Sequence, residues 1–200
     1  MRSIILASQS PRRKELLTQM GVDFDVVPSN FNEKLDDSRA PEVVAMELAL
    51  GKAMDVAQKY PDALVIGSDC IVTVHGRQLE KPVDEAEAYE LLELLSGTNN
   101  TVSTGVAVVR LSDGTQLVGA DSAEVYFKPY NEAAVKAYVS TGDPMDKAGA
   151  YGIQSGAAPL ISHVEGRHDS IIGLPTKILA EYLQSLGITE AQAVDLRIEI

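Results

Sequence analysis

The chain has 200 residues, carries 29 Asp and Glu against 17 Lys and Arg, and has a formal net charge of −12. That acidity argues against general binding to nucleic acid or to an anionic membrane surface. It leaves room for a small anionic substrate, provided that a local cationic pocket or a divalent metal offsets the repulsion. Hydrophobic residues make up 45% of the sequence with no run long enough to span a bilayer, and one cysteine precludes an internal disulfide.

The first stretch inverts the bulk charge. Among the first 14 residues are four cations and no acid, and Arg12, Arg13 and Lys14 stand together. Ile4 to Leu6 reads as a strand; Ser10 is a suitable N-cap and Pro11 a suitable first residue for a helix over about 11–20. Cations at a helix N-terminus are locally unfavourable, since that end is already partly positive. An anion docked there reverses the sign, because free N–H groups, the Ser8 and Ser10 hydroxyls and arginine forks all donate to phosphate oxygens. The same cations interrupt the apolar start that a signal peptide would need, so a cytoplasmic protein is expected.

Further along, residues 24–28 read as a second strand, 29–40 as a polar loop, and Pro41 to Tyr60 as a long helix with Val44, Leu48 and Val56 among its candidate core residues. Residues 63–66 read as a buried strand ending at Gly67-Ser68-Asp69-Cys70. A hairpin follows over 71–79, then a helix from an Asp84 cap to Leu95. Two long alternating strands, 101–111 and 116–127, flank a Ser-Asp-Gly-Thr turn. A helix capped by Asn131, a glycine-rich stretch over 142–157, a strand at 160–164 and a helix from Pro175 to Leu186 complete the chain, with 188–200 as a C-terminal tail. Early alternation of strand and helix with a long antiparallel pair in the middle predicts an α/β fold with a mixed sheet, in one domain over 1–200 or as two lobes around a central cleft.

Two carboxylates and four cations stand at positions suited to chemistry. Asp69 follows a buried strand, where α/β proteins place functional groups. Glu33 lies in the polar loop, Lys52 inside the long helix after Gly51, and Lys81 before Pro82. Carboxylates bind a hard divalent metal through oxygen, sharing its shell with water and phosphate, while Arg12, Arg13, Lys52 and Lys81 would hold phosphate oxygens. Taken singly, Asp69 reads better as a turn-capping acid and Glu33 better still as a solvated one, while Lys52 reads equally as a snorkelling surface lysine. There is no GxxxxGK[ST], the three histidines lack metal-ligand spacing, and Cys70 reads as a small packed residue.

In series, these segments resemble the Maf family of nucleotide pyrophosphatases. The resemblance rests on Leu6-Ala7-Ser8-Gln9-Ser10-Pro11-Arg12-Arg13 with Glu15-Leu16-Leu17, on Gly67-Ser68-Asp69, on Lys81-Pro82 with Leu95-Ser96-Gly97, and on Thr104-Gly105-Val106. It continues through Asp146-Lys147-Ala148-Gly149-Ala150-Tyr151-Gly152-Ile153-Gln154 and Gly173-Leu174-Pro175. It implies an elongated α/β fold similar to inosine triphosphate pyrophosphatases, a homodimer, and hydrolysis of a nucleoside triphosphate to monophosphate and pyrophosphate with a divalent metal, Mg or Mn. Asp69 would activate the water that attacks the α-phosphorus and share the metal with Glu33. Arg13, Lys52 and Lys81 would hold the triphosphate near Ser8 and Ser10.

The resemblance further implies that Arg12, Cys70 and Gln154 occupy positions tied to substrate choice, and Arg12 with Gln154 resembles the branch acting on dTTP and UTP. A glutamine amide offers a pyrimidine edge both a donor and an acceptor. Cys70 stands where that branch has threonine, Asn100 where the family has histidine, Asn32 where it has aspartate and Ser155 where it has glycine. Two other readings predict nucleotide binding as well: a regulator of septum formation with little catalysis, and a house-cleaning enzyme for modified nucleotides.

Overall fold

The computed structural model describes residues 3–196 and 198. Arg2, one of the four early cations, and Arg197, Glu199 and Ile200 of the tail lie outside the described residues. Strand β1 (Ile4–Leu6) leads into helix α1 (Pro11–Gln19), whose N-cap Ser10 accepts the Arg13 N–H. A short β2 (Asp25–Val26) and helix α2 (Pro41–Ala57) follow. Then come β3 (Leu64–Val74), β4 (Arg77–Leu79), α3 (Glu85–Leu95), β5 (Asn99–Arg110) and β6 (Thr115–Phe127). Helix α4 (Glu132–Val139), β7 (Ile161–Glu165), α5 (His168–Ile172) and α6 (Thr176–Ser185) complete the order.

Among the described residues the strands form one mixed sheet in the order β2-β1-β3-β5-β6-β7, with β4 paired to β3. β1 runs parallel to β2 and β3, and the other pairings are antiparallel. The mixed α/β sheet expected from the sequence is the one found. At about 3.4 Å per residue the long β5 and β6 reach roughly 40 Å, which makes the sheet elongated.

Side chains alternate across this sheet with period two. On β3, Leu64, Ile66, Val72 and Val74 join the larger core with Leu16, Leu17 and Met20 from the α1 segment and Leu179 and Leu183 from α6. Val65 and Ile71 face the other way, toward α2. Burying a leucine fully is worth about 2 kcal/mol, so the larger core carries most of the fold's stability.

Helix α2 differs from its expected packing. Val44, Leu48 and Val56 are buried as expected, but most of its sheet-facing surface is Ala45, Ala49, Ala53 and Ala57. The strands opposite carry Gly67 and Gly105, and a Cβ on either would lie 2.2 Å from an α2 carbonyl, of Ala49 or Ala45. Alanine against glycine lets the helix backbone lie almost on the sheet, and this sets the depth at which α2 presents Lys52.

Candidate active site

Asp69 and Cys70 do not follow a strand, as the Gly-Ser-Asp sequence suggests; they lie in the middle of β3. Residues 67–70 pair in register with Ala107, Val106, Gly105 and Thr104 of β5, and this ladder overrides the local turn signal. On its other side β3 pairs with β1 through Ile66 and with β4 from Val72. Between those pairings the strand has no strand neighbour on that side among the described residues, and the loop from Ala7 into α1 lies beside the gap. Asp69 therefore stands on a rigid strand at an interruption of the sheet.

The alternation along β3 turns Asp69 toward α2 and Cys70 toward α1. Lys52 Nζ lies 3.0 Å from Asp69 Oδ1 and 2.7 Å from Glu33 Oε1, so one ammonium bridges both carboxylates. Lys52 is buried rather than snorkelling. Glu33 reaches it because the Phe31 ring rests on Gly51, where a Cβ would meet ring carbon at 2.4 Å. The same loop is tied down by Asp55, whose Oδ2 accepts the Asn30 N–H and the Ser29 hydroxyl.

Arg13 approaches from the opposite side. Its Nε donates to Gly173 O at 2.8 Å and Nη1 to Ser8 Oγ at 3.3 Å. Nη2 lies 3.6 Å from Cys70 Sγ and 3.7 Å from Asp69 Oδ1. Burial works against its charge, but the neighbouring Cys70, Asp69 and Glu33 outweigh it and hold its pKa above the ordinary arginine value. Among the described residues every bond found on Asp69, including that from the Cys70 N–H, falls on Oδ1. As a carboxylate it retains Oδ2 to accept from a further donor. Ser8 Oγ accepts from Ser10 N–H as well as from Arg13, and Ser10 Oγ is engaged in the helix cap. Both hydroxyls keep a proton to donate.

Around this cluster lies a cleft of about 610 Å³. Ser10, Arg12, Arg13, Glu33, Lys52, Asp69, Cys70, Lys81 and Gln154 all line it. Of the residues singled out from the sequence, Ser8, Ser10, Arg13, Glu33, Lys52, Asp69 and Cys70 form one contacting group. Arg12, Lys81 and Gln154 share the cleft, and among the described residues no side-chain hydrogen bond or ion pair joins them to that group. Arg12 is half-buried with Nη1 4.0 Å from Asp146 Oδ2, while Lys81 and Gln154 are exposed. Five cations (Arg12, Arg13, Lys52, Lys81, Lys147) and five acids (Glu33, Asp69, Glu80, Asp143, Asp146) line the cleft, so its formal charge is near zero in a chain of −12.

The opposite wall is a run of tight turns over 143–155. Lys147 is buried there, with Nζ bonded to Asp143 O, Asp143 Oδ1 and Asp146 Oδ1 at 2.6, 2.9 and 2.6 Å. Burial opposes the charge on both acids. Bonds from Ser155, Tyr138 and Lys147 nevertheless hold Asp143 below the ordinary carboxylate range, and Lys147 and Arg12 do the same for Asp146.

A family model described as Maf-like protein matches residues 3–186. The chain belongs to the Maf-like family. Among curated relatives, the dTTP/UTP pyrophosphatase of Symbiobacterium thermophilum is 44% identical over 187 residues, covering 94% of this chain and 95% of the relative. That of Pelotomaculum thermopropionicum is 42% identical over 187 residues, covering 94% and 98%. That of Bacillus cereus strain AH820 is 43% identical over 193 residues, covering 96% and 100%.

Every cleft residue named above falls inside the Maf-like match. Lys147, Asp143 and Tyr138 carried no assigned role in the sequence reading, although Lys147 lies within a quoted motif. The available signal was a lysine flanked by acids in a glycine-rich stretch; its partners emerge only when the turns close. Glu33 and Asp69 also satisfy the chemistry of a divalent-ion site. Two carboxylate oxygens converge on one cationic nitrogen, and hard cations take oxygen ligands and complete their shell with water or phosphate. Among the described residues no group of three or more His, Cys, Asp or Glu is placed to hold a metal.

Proposed function

We propose that the protein is a nucleoside triphosphate pyrophosphatase that hydrolyses dTTP and UTP to the monophosphate and pyrophosphate. The observation that carries this is Asp69, seated mid-strand between Lys52 and Arg13 at a cleft of near-balanced charge. The full-length relatives bearing that activity in their names support the substrate class.

In this reading the base and ribose lie toward Gln154 and Arg12, and the triphosphate toward Arg13, Lys52 and Lys81. Ser8 and Ser10 donate their hydroxyl protons to phosphate oxygens. Asp69 Oδ2 accepts a proton from the water that attacks the α-phosphorus. The bond from that phosphorus to the oxygen leading to the β-phosphate breaks, and pyrophosphate leaves with its charge opposed by the same cations. Glu33 and Asp69 would hold a divalent cation, Mg or Mn, which when bound supplies further neutralisation of phosphate charge. Lys52, which bridges those two acids, would also reach phosphate in the cleft. The protein acts in the cytoplasm as a homodimer, each chain one domain over 1–200 with 188–200 as a tail; among the described residues no helix is long and apolar enough to cross a membrane.

The test is product analysis with protein far below substrate, with Mg or Mn, over a panel of normal and modified triphosphates. Monophosphate and pyrophosphate in equal amounts, fastest from dTTP and UTP, are expected. Tight nucleotide binding without turnover would favour a regulatory protein instead, and a strong preference for modified bases would favour a house-cleaning role.

A further inference from the structure

Asp143 opens the turns of the far wall and is half-buried. Its Oδ2 accepts two bonds of 2.6 Å, from the Tyr138 hydroxyl and from the Ser155 hydroxyl. Tyr138 in turn accepts the Gly152 N–H at 3.1 Å, and its ring packs on Gly156, where a Cβ would lie 2.8 Å from ring carbon. The Ser155 N–H closes the turn onto Gly152 O at 3.2 Å. The two residues that bracket Ile153 and Gln154 are thus both tied to one carboxylate oxygen.

Ile153 is buried and pins the turn from below, while Gln154 is exposed to the cleft. No helix or strand spans residues 151–157. An amide reads a base only while its donor and acceptor stay in place, and an error of about 1 Å is enough to lose the discrimination. The other oxygen of Asp143 is held by Lys147, which also binds Asp146, the acid facing Arg12. Arg12 and Gln154, two of the three cleft residues associated with substrate choice, therefore hang on the same polar network.

We propose that Asp143, acting through Tyr138 and Ser155, is the positioning residue for Gln154 and so sets the base selectivity of the cleft. This rests on the reading of Gln154 as the group that meets the base. Ser155 is an active part of the device, since its hydroxyl supplies one of the two ties.

The experiment compares kcat and KM for dTTP, UTP, dCTP and GTP, followed by pyrophosphate release, in the wild type and in Ser155→Ala, Ser155→Thr, Tyr138→Phe and Gln154→Ala, with a melting curve for each. Ser155→Ala and Tyr138→Phe are expected to raise KM for dTTP and UTP about tenfold, with a smaller change in kcat, and to shrink the preference over dCTP and GTP. Ser155→Thr, which keeps the hydroxyl, restores the preference. Combining Ser155→Ala with Gln154→Ala adds little to Gln154→Ala alone, because both act through one side chain.

If Gln154→Ala abolishes the preference while Ser155→Ala and Tyr138→Phe leave it intact, the positioning role is refuted and the base-reading role of Gln154 stands. If Gln154→Ala leaves the preference unchanged, the base-reading role fails and the proposal falls with it. Should Tyr138→Phe not fold, the half-buried Ser155 pair decides the matter alone.

Discussion

On one wall of the cleft, Asp69 and Lys52 stand on a laddered strand and on a helix pressed against it; on the other, Lys147 and Gln154 stand on consecutive tight turns. The first wall is placed by backbone. Its charges meet because α2 can approach β3 and β5 no further once alanine rests on glycine. The second wall is placed by side chains: three hydroxyl or ammonium groups converge on Asp143. A site that must hold reacting atoms to a fraction of an ångström gains from the first kind of support. Recognition of a particular base can be adjusted on the second kind without disturbing the chemistry.

The sharpest way to break this contrast is at Asp69. Asp69→Asn keeps the strand and its ladder but removes the proposed proton acceptor, and kcat is expected to fall by about 10²–10⁴ while nucleotide binding persists in calorimetry. Near-normal turnover would remove Asp69 from the chemistry. Gly105→Ala attacks the same wall through packing, placing a carbon against the Ala45 carbonyl. Overpacking of this kind costs about 1–3 kcal/mol, seen as a melting temperature lower by several degrees. Turnover should fall with it as α2 carries Lys52 away from Asp69, and an unchanged kcat would mean that the depth of α2 is unimportant.

The mildest test concerns the second wall and pH. Asp143 is held below the ordinary carboxylate range in the folded protein, so its contribution to stability is fully present above the unfolded value, about 3.9, and is lost as pH falls through the lower folded value. The melting-temperature gap between wild type and Asp143→Asn should therefore be constant from pH 7 to about 5 and close progressively below about 4. A gap that already closes near pH 6 would point to another group.

The first wall was the more legible from sequence, for a physical reason. The Ser10 cap, the Pro11 start and the cations beside them are local signals, and the structure builds α1 on them. The mixed sheet follows from the long pair of alternating strands. Asp69 was legible as a residue but misplaced along its strand, because Gly-Ser-Asp in isolation favours a turn and only the β5 ladder makes it a strand. The alanine contact of α2 with the sheet was not legible, since hydrophobicity alone cannot show that glycine stands opposite. The five-residue α5 and the ties of Asp143 were not legible: in a chain rich in turns, the partner of a polar side chain depends on how several turns close together.

The contact between Phe31 and Gly51 gives the first wall an unexpected dependence. Glu33 belongs to a loop with no ladder of its own, and it shares a lysine with Asp69 where, beside the Asp55 ties, an aromatic ring is seated at a point where α2 lacks a methyl group. The meeting of two acids from distant parts of the chain is thus secured by a carbon atom that is not there. Gly51, which does not itself line the cleft, helps to carry the geometry of the acidic pair.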